Sequence, residues 1–198
     1  MATSPDILTS RLRLRAFSES HLTARYVGWL NDKKLMRFSE QRHKNQTVET
    51  CRAYWRGFEG SPHYFWAIEE RGAENRHIGN INAYVDEQNQ LADVGLLIGE
   101  PQVAGRRFGL EAWLGVCRYL LAERGLRKVT GGTLALNQAM IRIMHRAGMV
   151  EDGTRSRHYV VEGREVDVVY MAMFGSAWLS WLDSPSGAEC AAHLKRHN

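Results

Sequence analysis

"LADVGLLIGEPQVAGRRFGLEAWLGVCRYLLAERG", residues 91–125, is the stretch on which the fold turns. It passes from an apolar strand (91–99) through a basic loop holding Gly105 and Gly109 into a helix from about Leu110 to Arg124. Leu110, Trp113, Leu114, Cys117 and Leu121 recur at helical spacing, and Gly125 is suited to end the helix. A helix N-terminus offers unpaired amide N–H groups and the positive end of a dipole, both of which favour a phosphate. Glycines let a phosphate approach the backbone closely. Arg106 and Arg107 stand between the glycines, where phosphate loops usually carry small residues. On its own the pattern fits either a diphosphate seat or a structural turn.

Upstream, "RLRLR" (11–15) alternates as a half-buried strand with Leu12 and Leu14 inward. "SESHLTARYVGWLND" (18–32) has the pattern of a helix with Ser18 as N-cap and Tyr26, Trp29 and Leu30 among its apolar positions. A second helix is expected from Thr47 through "ETCRAYWRGF", after the polar, basic connection "KLMRFSEQRHKNQ" (34–46). "YFWAIEE" (64–70) and "RHIGNINAYVD" (76–86) are two more strands, the latter joined to 91–99 by the loop "DEQNQ". Downstream come a strand, "RKVTGGTLAL" (127–136), and a helix capped by Asn137 and stopped by Gly148. A hairpin over 155–173 then turns at Glu162-Gly163. The order β-α-α-β-β-β-α-β-α-β-β predicts a mixed sheet flanked by helices, an α/β (α+β) domain over 1–174. Residues 175–198, with Trp178, Leu179, Trp181 and Leu182, predict a short amphipathic helix closing the domain and a frayed end, or a partner contact through the tryptophans.

At 198 residues, with 44% hydrophobic and 24% charged residues, the chain has the length and balance of one globular domain. No apolar run is long enough for a bilayer and the N-terminus lacks a signal-peptide core, so a cytoplasmic location without membrane contact is expected. Cys51, Cys117 and Cys190 are too few and too scattered for a disulfide framework. Eight dispersed histidines form no ligand spacing, and no metal site is assigned. A net charge of +4 and a pI near 9.1 suit an anionic ligand. No basic run alternates with aromatics in the manner of an RNA-binding sheet, so no nucleic-acid partner is expected.

Several ordered motifs from Leu12 to Phe174 resemble the GNAT superfamily of acetyl-CoA-dependent acyltransferases. They are most similar to the branch containing ribosomal-protein N-terminal and amino-sugar N-acetyltransferases. "YVGWLND" (26–32) resembles that branch's first helix, and "HIGNINAYVDEQNQLADVGLLIG" (77–99) its central hairpin. "GRRFGLEAW" stands where the family keeps its pyrophosphate loop, and "NQAMIRIMHRAGMVEDG" (137–153) resembles its Asn-led helix.

The resemblance implies a mostly antiparallel sheet with a V-shaped splay between the fourth strand (91–99) and the fifth. Acetyl-CoA would be the co-substrate. Its pantetheine arm would pair with the splayed strand, and its thioester would lie near Leu96, Leu97 and Ile98. Amides of Ala104, Gly105, Arg106, Arg107, Phe108, Gly109 and Leu110 would hold the pyrophosphate. Asn137 would reach the pantetheine or thioester end, with Met140 and Met144 on the same helix. The family loop normally has a polar residue at position 104 and glycine at 107, where this chain has Ala104 and Arg107. Arg107 is expected to swing outward toward a phosphate rather than crowd the loop. Many members carry a tyrosine seven residues after the asparagine, as acid for the leaving thiolate; here that position is Met144.

Acyl transfer to an amine needs a base for the ammonium proton, and Asp93, at the start of the splayed strand, is the candidate. Its alternative role is a hairpin-end carboxylate bonded to backbone. His77, Glu40, His43 and His158 are weaker candidates. A polar acceptor is expected among Arg42, His43, Arg157 and His158, and the branch suggests the primary amine of a small molecule such as a nucleotide-linked amino sugar. The alternatives are N-terminal acetylation of a peptide or ribosomal protein, and a non-catalytic acyl-CoA binder. Either a monomer or a homodimer is compatible with the sequence.

Overall fold

The computed structural model describes residues 4–72 and 75–194. Eight strands form one sheet in the order β1-β2-β3-β4-β5-β6-β8-β7. These are β1 (Ile7–Leu8), β2 (Leu12–Ala16), β3 (Tyr64–Glu70), β4 (Arg76–Asp86), β5 (Leu91–Ile98), β6 (Lys128–Leu134), β7 (Val150–Val161) and β8 (Arg164–Phe174). Every neighbouring pair is antiparallel except β5–β6, which is parallel. The parallel ladder holds only Leu91↔Lys128, Ala92↔Val129 and Asp93↔Thr130. Beyond Asp93, β5 stays paired with β4 on one edge while its other edge has left β6, which is the expected V.

The helices are α1 (Ala24–Asn31), α2 (Val48–Arg56), α3 (Phe108–Arg118), α4 (Gln138–Arg146), α5 (Gly175–Leu182) and α6 (Ala188–His193). One sheet face packs on α3, α4 and α5 around Trp66, Trp113, Ile78, Ile81 and Leu114. The opposite face carries a smaller cluster under α1 and α2, with Phe17, Tyr26, Trp29, Cys51 and Phe65. All three cysteines are free and buried.

Three of the segments that differ from expectation do so for identifiable reasons. Ser18 caps only a short 3-10 turn, Glu19–His21, and α1 starts later with Thr23 as its cap. The chain breaks there because His21 is buried, with Nε2 3.1 Å from Glu69 Oε1. β7 begins at Val150, ahead of the expected hairpin, and is exposed along most of its length. As an edge strand interrupted by two register shifts, it lacks the apolar alternation that marks a half-buried strand. The tail is not frayed over its described length: α6 buries Cys190, and Leu194 follows it into the core. Trp178 donates through Nε1 to the Ala147 carbonyl at 2.6 Å, and the Trp181 ring covers Gly148. The tryptophans thus pack on their own domain. Residues 195–198 of the expected tail lie outside the described residues.

Candidate active site

The splay and the connection above it enclose a cavity of about 1090 Å³, the size class of small-molecule and cofactor sites. β5 positions its floor through period-two alternation. Asp93, Gly95 and Leu97 point to the α1–α2 face, opposite Tyr84, Asn82 and Asn80 of β4. Asp93 therefore stands at the vertex of the V and lines the cavity. Its Oδ2 accepts a 2.8 Å hydrogen bond from Thr130 Oγ1. Burial raises the carboxyl pKa, and the Thr130 hydrogen bond opposes that rise. A carboxylate with a raised pKa in a cavity is suited to take a proton.

Leu96, Leu97 and Ile98 also line the cavity, as do Asn137 and Met140. Asn137 accepts from the Met140 N–H through Oδ1 and donates through Nδ2 to Thr133 Oγ1 at 3.0 Å. It holds the start of α4 against β6 beside the splay. Met144 is a correction: it is fully buried, with its sulfur beside Gly131, and forms core rather than cavity wall. His145 is exposed.

The loop expected to hold the pyrophosphate is built as a turn into α3. Gly105 (φ 77°) and Arg107 (φ 61°) both adopt left-handed backbone, and Arg107 is the N-cap. The first intrahelical bond runs from Glu111 N–H to the Arg107 carbonyl. The amides of Arg107, Phe108, Gly109 and Leu110 thus have no acceptor within the helix. Ala104, Gly105, Arg106 and Arg107 are exposed, while the Phe108 and Leu110 side chains are core, leaving only their amides for a ligand. A Cβ at Gly109 would meet Ile143 Cδ1 at 3.1 Å and Leu96 Cδ2 at 3.3 Å, so glycine is what lets α3 approach the splay. This cradle and the unpaired edge of β5 fit a pyrophosphate followed by a pantetheine arm.

Neither arginine crowds the loop. Arg106 pairs with Glu70 at 2.7 Å and stacks on Phe108, and Arg107 swings outward onto Glu189 of α6. Outward orientation was expected; the carboxylate partner was not, because Glu189 is eighty-two residues away. Glu111, fully buried one turn into α3, accepts from Thr9 Oγ1 at 2.7 Å and Arg11 Nε at 2.8 Å, with His193 Nδ1 3.6 Å away.

The expected acceptor residues do not line the cavity. Arg42 is tied to Glu40 at 2.6 Å and to the Val160 carbonyl at 3.3 Å, joining the connection to β7. His43 is exposed, and Arg157 and His158 sit on the open surface of β7. Their neighbours line it instead: Arg37, Glu40, Gln41, Lys44 and Tyr159. His77 is enclosed by Phe17, His21, Tyr26 and Trp29. Burial and the nearby His21 push its pKa down to about 4, which keeps it neutral. Asn80, Asn82, Tyr54 and Tyr170 line the cavity and were not singled out from sequence. The alternation in "NINAY" (80–84) carries the signal for the first two, as polar residues at every second place of a strand.

Among the described residues no cluster of His, Cys, Asp and Glu could hold a metal, and no helix is long and apolar enough to cross a membrane. The family model of the acetyltransferase (GNAT) domain matches residues 11–150. Solved structures align at low identity. A GNAT-family acetyltransferase from Bacillus anthracis superposes with a TM-score of 0.75 at 19% identity, covering 86% of this chain and 99% of its own. Spermidine N-acetyltransferase from Vibrio cholerae, in complex with CoA and spermine, gives the same four values. The ribosomal alpha-N-protein acetyltransferase RimL, in complex with coenzyme A, gives 0.75 at 18%, covering 87% and 99%. A comparison with curated proteins finds no match. At such identities the structural likeness speaks for the fold, which is the one built above from β5, its splay and the loop into α3. The matched domain spans most of the sequence, and the chain belongs to the GNAT family of acetyltransferases.

Proposed function

We propose that this enzyme transfers the acetyl group of acetyl-CoA directly to the primary amine of a small polar acceptor, such as a nucleotide-linked amino sugar. The observation that carries the proposal is the placement of Asp93. Its carboxylate stands at the vertex of the splay, within the same cavity as the strand segment suited to the thioester. The CoA pyrophosphate would rest on the amides of Arg107 to Leu110, and the pantetheine arm along the free edge of β5. Asp93 takes the ammonium proton, the free amine attacks the carbonyl carbon, and the C–S bond breaks. A thiol of pKa about 8.5 is a fair leaving group as the anion.

The acceptor side combines aromatic rings (Tyr54, Tyr159, Tyr170) with amides (Asn80, Asn82, Gln41, Gln46). Its charged groups balance, with Arg37 and Lys44 against Glu40 and Asp93. That balance suits a polar acceptor carrying both hydrogen-bonding hydroxyls and an anionic group better than a polycation. The test is thiol release from acetyl-CoA with a panel of nucleotide-linked amino sugars, polyamines and peptides. Turnover confined to amino sugars supports the proposal. Turnover of peptides or polyamines alone overturns the acceptor class, and tight CoA binding with no turnover of any amine overturns the catalytic reading.

A further inference from the structure

With Met144 in the core, α4 supplies no phenol to the splay, yet a phenol reaches it from another strand. Tyr170 lies on β8, paired with Gly132 of β6. Gly132 stands two residues beyond Thr130, the last residue of β6 paired with β5. Because Gly132 has no side chain, the Tyr170 ring lies across it: a Cβ there would meet ring atoms Cε1, Cδ1 and Cζ at 2.7, 3.0 and 3.4 Å. The hydroxyl-bearing end of the ring is therefore laid over the β6 wall of the V, on the side that Asp93 faces. Tyr170 and Asp93 line the same cavity. Arg155 holds the ring from the other flank, its guanidinium carbon 4.9 Å from the ring centroid. Among the described residues the hydroxyl has no hydrogen-bond partner, so no structural bond occupies it.

We propose that Tyr170 delivers the proton to the departing CoA sulfur, replacing the phenol that position 144 lacks. This rests on the acetyl-transfer reading above. As the amine nitrogen bonds to the carbonyl carbon, the C–S bond breaks and its electron pair stays on sulfur. The Tyr170 hydroxyl proton moves to that sulfur and leaves a phenolate. The proton that Asp93 took from the ammonium returns to the phenolate through water, and the second proton that the nitrogen sheds as the amide forms leaves to solvent, so each turnover ends with a free thiol, an amide, one released proton and a restored site.

The test is Tyr170→Phe, which keeps the ring over Gly132 and removes only the unpartnered hydroxyl. With melting temperature and CoA affinity as fold controls, kcat should fall about 100-fold, the low end of the general acid–base range. KM for acetyl-CoA should stay unchanged, and the fall in kcat at alkaline pH should disappear. A kcat within twofold of wild type overturns the proposal, and so does a lowered kcat that keeps the alkaline limb. Wild-type turnover in the same assay separates the two claims. Its absence sinks acetyl transfer itself, whereas active wild type beside an equally active Tyr170→Phe sinks the role of Tyr170 alone.

Discussion

Asp93 carries a conflict between stability and chemistry that can be measured at one residue. Burial raises its pKa in the folded protein, so folding favours the neutral carboxyl. That contribution is complete below the unfolded pKa and is lost as pH rises through the folded value. At neutral pH the ionised side chain therefore weighs on the fold. Asp93→Asn should raise the melting temperature at pH 7, with the gain shrinking as pH is lowered, while kcat drops about 100-fold or more. Calorimetry across pH beside steady-state kinetics checks both halves. Thr130→Val removes the hydrogen bond that favours the carboxylate, so the acid limb of kcat/KM should move to higher pH. A limb that stays in place or moves lower contradicts Asp93 as the base. The place of Asp93 was legible in the sequence because it opens the strand whose splay the family resemblance implies. Tyr170 was not, because its relation to Gly132 depends on the pairing of two strands distant in sequence.

At the scale of the element, the strand–loop–helix unit of β5 and α3 was readable from residues 91–125. Apolar alternation, two glycines and helical periodicity are local signals; the structure starts α3 earlier, at Phe108, ends its α-helical part at Arg118 and continues it as a π-helical turn over Tyr119–Glu123. The partners of its arginines were not readable, since Glu70 and Glu189 arrive from other elements. Gly109 shows how tight the unit is, flanked by Leu96 of β5 and Ile143 of α4. Gly109→Val forces those side chains apart, an overpacking that costs about 1–3 kcal/mol. It should also weaken CoA binding about tenfold, equivalent to roughly 1.4 kcal/mol. Isothermal titration with CoA reads the second effect, and unchanged affinity would show that the slot between α3 and β5 is not the cofactor path. The acceptor wall failed at sequence level for a related reason. "FSEQRHKNQ" (38–46) reads as polar throughout, and only its two 3-10 turns (Met36–Phe38, Glu40–His43) decide that Glu40 and Lys44 reach the cavity rim while His43 does not.

On the scale of the whole molecule, segments near the start and the end of the described residues meet on α3. Glu111 receives Thr9 and Arg11 from the start of the sheet and His193 from α6, while the Ser10 N–H donates to the His193 carbonyl at 3.0 Å. Glu111→Ala leaves these donors without their buried carboxylate and should destabilise the fold by about 3 kcal/mol, the low end for a broken buried pair because Arg11 can turn to water. Chemical denaturation gives the number, and a loss below about 1 kcal/mol would show that the termini are not held through this residue. The mostly antiparallel, splayed sheet followed from the family resemblance, whereas the second tail helix, α6, did not follow from the sequence, because short helices rich in alanine carry little pattern. The central claim is that CoA threads the V between β5 and β6. A crystal structure with CoA tests it most directly. The pyrophosphate should lie on the amides of Arg107 to Leu110, the pantetheine along Val94 to Ile98, and the thiol beside Asp93 and Tyr170. CoA bound elsewhere, or with its thiol turned away from that cavity, would contradict it.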